Sequence, residues 1–383
     1  MHIFFTRFPL ESTYGGAEVQ TLSLMKGLRE RGHEVAFLGS CQVLLEKAIS
    51  YQLSAIRLDI GPPPVTKWGA VSFLWRKFGM RRKLQSNFQL PDAICMLSLT
   101  EKLLLTEWAL RQGIRVFWIE HDRIGRWLRW NPWLPKLRRL SRLATTVVVS
   151  DLSKRIYVEK LGWNPENIVV IPNGIDLQKM GTRDWELGTG YMTDTSINVP
   201  GPRSQVPFLH IGTIARLSPE KGVDLLIEAI KDLPNVHLTI VGTGRDEHRI
   251  QQLIDAANSI TQEPNNLITL LQSVPDIAAF YRSLDIFVLP SRDHDPCPLA
   301  PIEAMACGIP VIMTDACGTA EYVENEKEAI VVPAGSSGAL RKTILRLRND
   351  ADLRHRLAAR GPEIVAEKFS MGRMVDQYGK LFF

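Results

Sequence analysis

Nowhere in this 383-residue chain does an apolar run approach the roughly 20 residues needed to span a bilayer. That argues against a membrane-spanning protein. The first residues, Met1-His2-Ile3-Phe4-Phe5, read as a strand stopping at Arg7 and not as a basic-then-apolar leader. Cysteine is equally sparse: Cys41, Cys95, Cys297, Cys307 and Cys317 form no CxxC pair. Their scatter excludes a disulfide frame and a zinc site and suits reduced thiols in the cytoplasm. No short repeat is present, and no recognised nucleic-acid module, so nucleic acid is not an expected partner. A GxGxxG fingerprint is missing too. Gly15-Gly16 and Gly242-Thr243-Gly244 both lack the full glycine set, which weakens a dehydrogenase reading.

What is present is globular: 45% apolar and 23% charged residues, with a length that suits two domains. The net charge of +5 conceals an asymmetry. Residues 1–180 carry 26 Lys+Arg against 15 Asp+Glu, the remainder 20 against 26. The excess lies between Gly61 and Arg142, and a basic first half suits an anionic partner.

Strands are expected at His2–Thr6, Glu34–Leu38, Ala93–Leu97, Arg115–Ile119 and Thr145–Val149, with an amphipathic helix over Ala17–Arg31. Periodicity fails from Gly181 to Gln205 and then restarts. The second series runs strand Phe208–Ile211, helix Glu220–Asp232, strand His237–Val241, helix Arg245–Ala257. Strands follow at Leu267–Leu271, Asp285–Leu289, Val311–Thr314 and Ala329–Val332. Helices near 338–348, 351–367 and 371–383 close the chain. This alternation predicts an α/β protein of two Rossmann-like, doubly wound parallel-sheet domains facing a central cleft. The expected division is 1–180, a linker at 181–205 and a second domain at 206–370, the helix at 371–383 joining the first.

The chemistry-bearing residues cluster after strands. In PSRDHDPCPLAPIEAMACGIP (290–310), Pro301 suits a first helical turn, so Glu303 is expected in that turn and Asp295 in the preceding loop. First-turn amides can hold a diphosphate while carboxylates accept from sugar hydroxyls. A first-turn Glu can equally just balance the helix dipole. Arg216 and Lys221, in IGTIARLSPEKGVDLLIEAI, are expected to flank a helix start, where a lysine opposes the dipole. Two such cations could neutralise a leaving diphosphate without a metal, or could be a solvated surface pair. Gly15-Gly16 lets backbone approach a phosphate closely. His121, in WIEHDR, stands at a strand end suited to positioning a hydroxyl, although such a histidine is often structural.

These residues carry a resemblance. PSRDHDPCPLAPIEAMACGIPVI resembles the EX7E segment of the retaining GT-B glycosyltransferases of family 4, here Asp-x7-Glu. The GGAE loop, the HD pair at 121–122, VVVSDLSKR, IPNGID, ARLSPEKGVDLLIEA, LTIVGTG, SLDIFVLPS and GTAEYV follow in family order over nearly the whole chain. The resemblance implies a metal-independent, cofactor-free hexosyltransferase that retains anomeric configuration. Arg216 and Lys221 would bind the diphosphate of a UDP-, GDP- or ADP-linked sugar, and Glu303 the ribose. Asp295 would contact the transferred sugar, and His121 would lie near sugar and acceptor. Gly15, Gly16, Pro298, Leu299 and Ala300 would line the donor, and Leu271 and Val274 the base. Aspartate at 295 departs from the family's glutamate and shortens the reach by one methylene.

The acceptor is expected to be a glycan, a lipid-linked glycan or another cell-envelope molecule. Two segments, 68–84 and 123–142, mix tryptophan with Lys and Arg, and suit either an anionic membrane surface or packing in an acceptor site. Peripheral attachment to the inner membrane face is therefore part of the expectation. Two other classes fit the same outline: a GT-B-like nucleotide-sugar 2-epimerase and a non-catalytic two-lobed sugar-binding protein.

Overall fold

A computed structural model describes residues 1–9, 15–86, 90–121, 130–180, 208–260 and 267–382. They form two compact units, 1–174 with 371–383, and 175–370. The boundary thus falls at 174/175 and not at 180. Within the second unit the Ile175 amide donates to Phe369 O, and Arg282 donates to Met180 O. The expected linker, 181–205, lies outside the described residues.

The first unit begins β1 (His2–Arg7), α1 (Gly16–Glu30), β2 (Glu34–Gly39), α2 (Gln42–Ser50), β3 (Ser54–Arg57) and α3 (Lys67–Ser86). It continues β4 (Ala93–Met96), α4 (Leu99–Arg111), β5 (Arg115–Glu120), α5 (Leu134–Ser141), β6 (Thr145–Val148), α6 (Asp151–Ile156) and β7 (Ile168–Val170). Its sheet order is β3-β2-β1-β4-β5-β6-β7, parallel throughout. A sheet covered on both faces needs apolar residues at every strand position, with neighbours feeding opposite layers. β1 does this: Phe4 packs with Ile94, Trp118 and Leu105, whereas Ile3 and Phe5 pack with Cys95, Phe117 and Leu28.

The second unit comprises β8 (Leu209–Ile214), α7 (Val223–Ile230), β9 (Val236–Val241), α8 (Glu247–Ile260), β10 (Ile268–Leu271) and α9 (Ile277–Arg282). There follow β11 (Ile286–Leu289), α10 (Leu299–Ala306), β12 (Val311–Thr314), β13 (Ile330–Val332), α11 (Ser337–Asn349) and α12 (Ala351–Lys368). The order here is β10-β9-β8-β11-β12-β13, again all parallel. Each sheet reverses its winding once, between β1 and β4 and between β8 and β11. Loops leaving the strand C-termini at such a switch point diverge and leave a crevice for ligand.

The last helix, α13 (Met371–Phe382), belongs to the first unit. Its Met374, Val375, Tyr378 and Phe382 lie at helical spacing and are all buried in the layer beneath α1. Phe382 packs edge-on against Phe117, with centroids 4.7 Å apart. Burying a side chain of that size stabilises by about 2–3 kcal/mol.

Candidate functional site

The switch point of the second domain is where its chemistry gathers. β8 ends at Ile214 and β11 at Leu289, so the segments from 215 and from 290 emerge side by side. The first carries Arg216 and Lys221, the second Asp295.

Lys221 does not begin the helix that the sequence suggested over Glu220–Asp232. It ends a 3-10 turn, Pro219–Lys221, and α7 starts only after Gly222, at Val223. Gly222 is left-handed, φ +66°, and a Cβ there would meet Pro290 O at 2.1 Å, so a side chain fails on both counts. Lys221 therefore pays no first-turn dipole penalty. Its turn is strapped to the neighbouring loop by Arg292, whose amide donates to Glu220 O at 2.8 Å. The Arg292 guanidinium reaches Pro219 O at 3.2 Å and the Asp224 carboxylate at 2.9 Å.

The strap sets Lys221 Nζ 2.6 Å from Asp295 Oδ2, and Ser291 Oγ donates to the same oxygen at 2.7 Å. Asp295 is only 7% exposed. Its backbone is pinned as well, the amide donating to Ala316 O and the carbonyl accepting from Gly318 N. Oδ1 accepts no hydrogen bond among the described residues. Arg216 is exposed and has no hydrogen bond or ion pair among the described residues. The turn thus offers one cation held by a carboxylate and one uncommitted.

Glu303 lies in the second turn of α10, not the first. The helix is capped at Pro298 and opens with Leu299, Ala300 and Pro301, so Pro301 is its third residue and not its first. A proline is tolerated there because first-turn amides have no intrahelical acceptor. Leu299 and Ala300 supply the free first-turn amides, and Pro298 O accepts from Thr319 Oγ1 at 3.3 Å. Glu303 Oε2 accepts from the fully buried Tyr281 hydroxyl at 2.8 Å. Burial raises the Glu303 pKa, a shift that the Tyr281 hydrogen bond partly offsets.

Leu271 closes β10, its carbonyl accepting from the Gly242 amide at 2.8 Å, with Val274 three residues on and partly buried. The remaining predicted residues belong to the first domain. Gly15 caps α1 in an extended conformation and Gly16 is its first residue, an amide without an intrahelical acceptor. Gly15 N donates to Glu18 Oε2 at 3.1 Å, while Glu18 Oε1 pairs with Arg7 at 2.6 Å in nearly complete burial. His121 follows β5 directly and is partly buried. The second half of its HD pair, Asp122, lies outside the described residues.

Ser291, Arg292, Tyr281 and Glu18 were not singled out from sequence. The serine and the arginine stand in the informative segment itself: Ser291 gains its role from Asp295 four positions on, and Arg292 from Pro219 and Asp224, 73 and 68 positions away. Among the described residues no group of three or more His, Cys, Asp and Glu is placed to hold a metal.

Two family matches divide the chain. Residues 14–179 match Glycosyltransferase Family 4, and residues 204–364 match Glycosyl transferases group 1. Similar curated proteins include a capsular polysaccharide biosynthesis glycosyltransferase, CapM, of Staphylococcus aureus, 28% identical over 58% of this chain and 54% of the relative. A phosphatidyl-myo-inositol mannosyltransferase of Mycobacterium leprae is 30% identical over 57% of this chain and 54% of the relative. The match therefore spans about half the length of these curated relatives. Among solved structures, Alr3699/HepE of Anabaena, in complex with UDP, superposes with a TM-score of 0.78 at 19% identity. That superposition covers 100% of this chain and 99% of the other. A glycosyltransferase of Rickettsia africae gives 0.77 at 19%, over 100% and 97%. With a matching unit in each half and the GT-B fold throughout, the chain belongs to the group 1, Family 4 glycosyltransferases.

Proposed function

We propose that this protein transfers a sugar from a nucleotide-sugar donor to a glycan or lipid-linked acceptor of the cell envelope, in the cytoplasm, without metal or cofactor. The observation that carries the reading is the Lys221–Asp295 pair at the second domain's switch point, with Arg216 uncommitted beside it. An ammonium fixed before the donor arrives, with an uncommitted guanidinium beside it, can stabilise a leaving diphosphate. Asp295 Oδ1 would accept from a hydroxyl of the transferred sugar, and the Glu303 carboxyl would bind the ribose. The cell-envelope acceptor follows the similar capsule and mannosyl-phosphoinositide proteins. A UDP-linked donor is the first to try, because the Anabaena structures carry UDP and UDP-glucose.

The step we envisage retains configuration. The bond from the anomeric carbon to the β-phosphate oxygen breaks as the acceptor hydroxyl bonds to that carbon from the same face. The hydroxyl proton passes to the departing diphosphate, so atoms balance without a protein nucleophile. Lys221 and Arg216 hold the charge that develops on the phosphate.

The test pairs binding with transfer. A thermal-shift screen of UDP, GDP, ADP and their sugars should find one base that raises the melting temperature, because a ligand stabilises by mass action. With that donor and extracted envelope glycolipids, the protein should form a product whose anomer matches the donor, and Glu303→Ala should lose it. Undiminished product from Glu303→Ala sinks the site assignment. Conversion of the donor with no acceptor present would favour the epimerase.

A further inference from the structure

Helix α3 is apolar on two opposite faces. Ala70, Phe73, Met80 and Leu84 point into the first domain and are buried. Folding accounts for that face. On the other side Trp68, Val71, Leu74, Trp75 and Phe78 recur at spacings of three and four, a stripe roughly 120° wide at 100° per residue. Folding does not account for these: Trp68 is 85% exposed, Trp75 82% and Phe78 72%. A monomer in water rarely displays so much contiguous aromatic surface without a use for it.

The charge around the stripe says what the use is. Lys67 lies within it, and Arg81, Arg82 and Lys83 continue the helix from it, all four exposed. Not one Asp or Glu occurs from Ile60 to Pro91. The second basic segment is held alongside. Asn131 Nδ2 donates to Pro64 O at 2.8 Å, Trp133 Nε1 to Ala70 O at 3.1 Å, and the Trp133 ring packs edge-on to Phe73. This brings Trp130, 87% exposed, into the neighbourhood of α3. A protein partner is commonly met by apolar groups with charges of both signs, whereas every charge on α3 has one sign, and Glu107 near the second segment is already paired with Arg139. Indole and phenyl rings at headgroup depth, flanked by cations and no anions, match the interface of a negatively charged bilayer. No helix among the described residues is long and apolar enough to cross a membrane, so α3 is suited to lie on one.

We propose that the outward face of α3, extended by Trp130, docks the first domain on an anionic lipid bilayer. The rings enter the headgroup layer, and Lys67, Arg81, Arg82 and Lys83 sit over lipid phosphates. This stands independently of the sugar-transfer reading, because no residue of the donor site takes part.

Flotation of the purified full chain with vesicles of phosphatidylcholine, with and without phosphatidylglycerol, tests it. Binding is expected only to the anionic vesicles and should weaken in high salt. Replacing Arg81, Arg82 and Lys83 together by Gln should lower the partition coefficient about a hundredfold at low salt. Trp75→Ser should lower it about tenfold without lowering the melting temperature, since the side chain is 82% exposed. Equal binding to neutral vesicles overturns the charge argument, and unchanged binding by the triple variant overturns the site. A self-associating chain whose dimer is dissolved by Trp75→Ser, with no vesicle binding, assigns the face to a second copy and refutes the proposal. Nucleotide-induced thermal shifts of the same variants should be unaltered, so loss of docking and loss of the donor site are distinguishable.

Discussion

Asp295 and Glu303 are eight positions apart in one segment, carry the same functional group, and are stabilised in opposite ways. Asp295 is nearly buried, and Lys221 and Ser291 converge on one of its oxygens, so a cation accompanies it inward. Glu303 has a neutral phenol as its bonded partner, and burial draws its carboxyl toward the protonated form. The lesson is that a loop can carry a charge inward only if it brings the counter-charge with it. Here the counter-charge arrives from Lys221, on a turn that Arg292 and Gly222 lock in place.

Removing the counter-charge should break the comparison most strongly. Lys221→Met leaves Asp295 buried beside a single hydroxyl. Discounted for the partial exposure of the lysine, that should cost about 3 kcal/mol of stability in urea denaturation. Asp295→Asn in the same background should recover most of it; no recovery would mean that the pair is not what the lysine supplies.

The first domain offers a sharper version of the Glu303 case. Glu101 is fully buried at the start of α4, and its Oε1 accepts from the Leu97 and Ser98 amides at 3.2 and 2.6 Å. Its Oε2 has no hydrogen-bond partner among the described residues, and burial pushes its pKa up to about 7. A carboxyl whose folded pKa is raised contributes stability that is fully present below its unfolded value, near 4.5, and lost as pH rises through about 7. Across that window the loss is about 3 kcal/mol. Glu101→Gln keeps the accepting oxygen and should flatten this part of the stability profile, measured by thermal melts from acid to neutral pH. An unchanged slope would show that Glu101 does not titrate there.

The smallest effect is expected at Tyr281. Tyr281→Phe takes away the hydroxyl that donates to Glu303 Oε2 while keeping the ring, and should cost about 1 kcal/mol. Because the hydrogen bond favours the charged form, its loss should raise the Glu303 pKa further, seen by carbon-detected NMR titration. A downward shift would reverse the account of how that carboxyl is held.

Much of this fold can be read from periodicity because buried parallel strands are unmistakable runs, as at Ala93–Met96, Ile286–Leu289 and Val311–Thr314. What escapes is short or marginal. β3 is an edge strand with Ser54 and Arg57 exposed at its ends, and β7 has three residues. α9 has six residues, too few to show a helical period. At the site, residue types and loop positions are legible, as Arg216, Lys221 and Asp295 demonstrate. Pairings are not: Lys221 meets Asp295 across 74 positions, through strand neighbours that no local pattern encodes. Pro301 misled in a different manner, since proline fits any of the first helical positions and fixes the helix start only loosely. In α3 the composition announced a basic aromatic segment, while which rings face outward came only from what the opposite face buries.

One feature bears on how the molecule is made. The first domain's sheet is complete by Val170, but the layer containing Phe117 and Leu28 is closed by α13, at 371–382. Synthesis runs from the N-terminus, so that layer stays open to water while the entire second domain is translated. Of the two domains, the one translated earlier cannot bury this layer until the later one has been made. During that interval its uncovered apolar patch is the surface on which a chaperone would have to act.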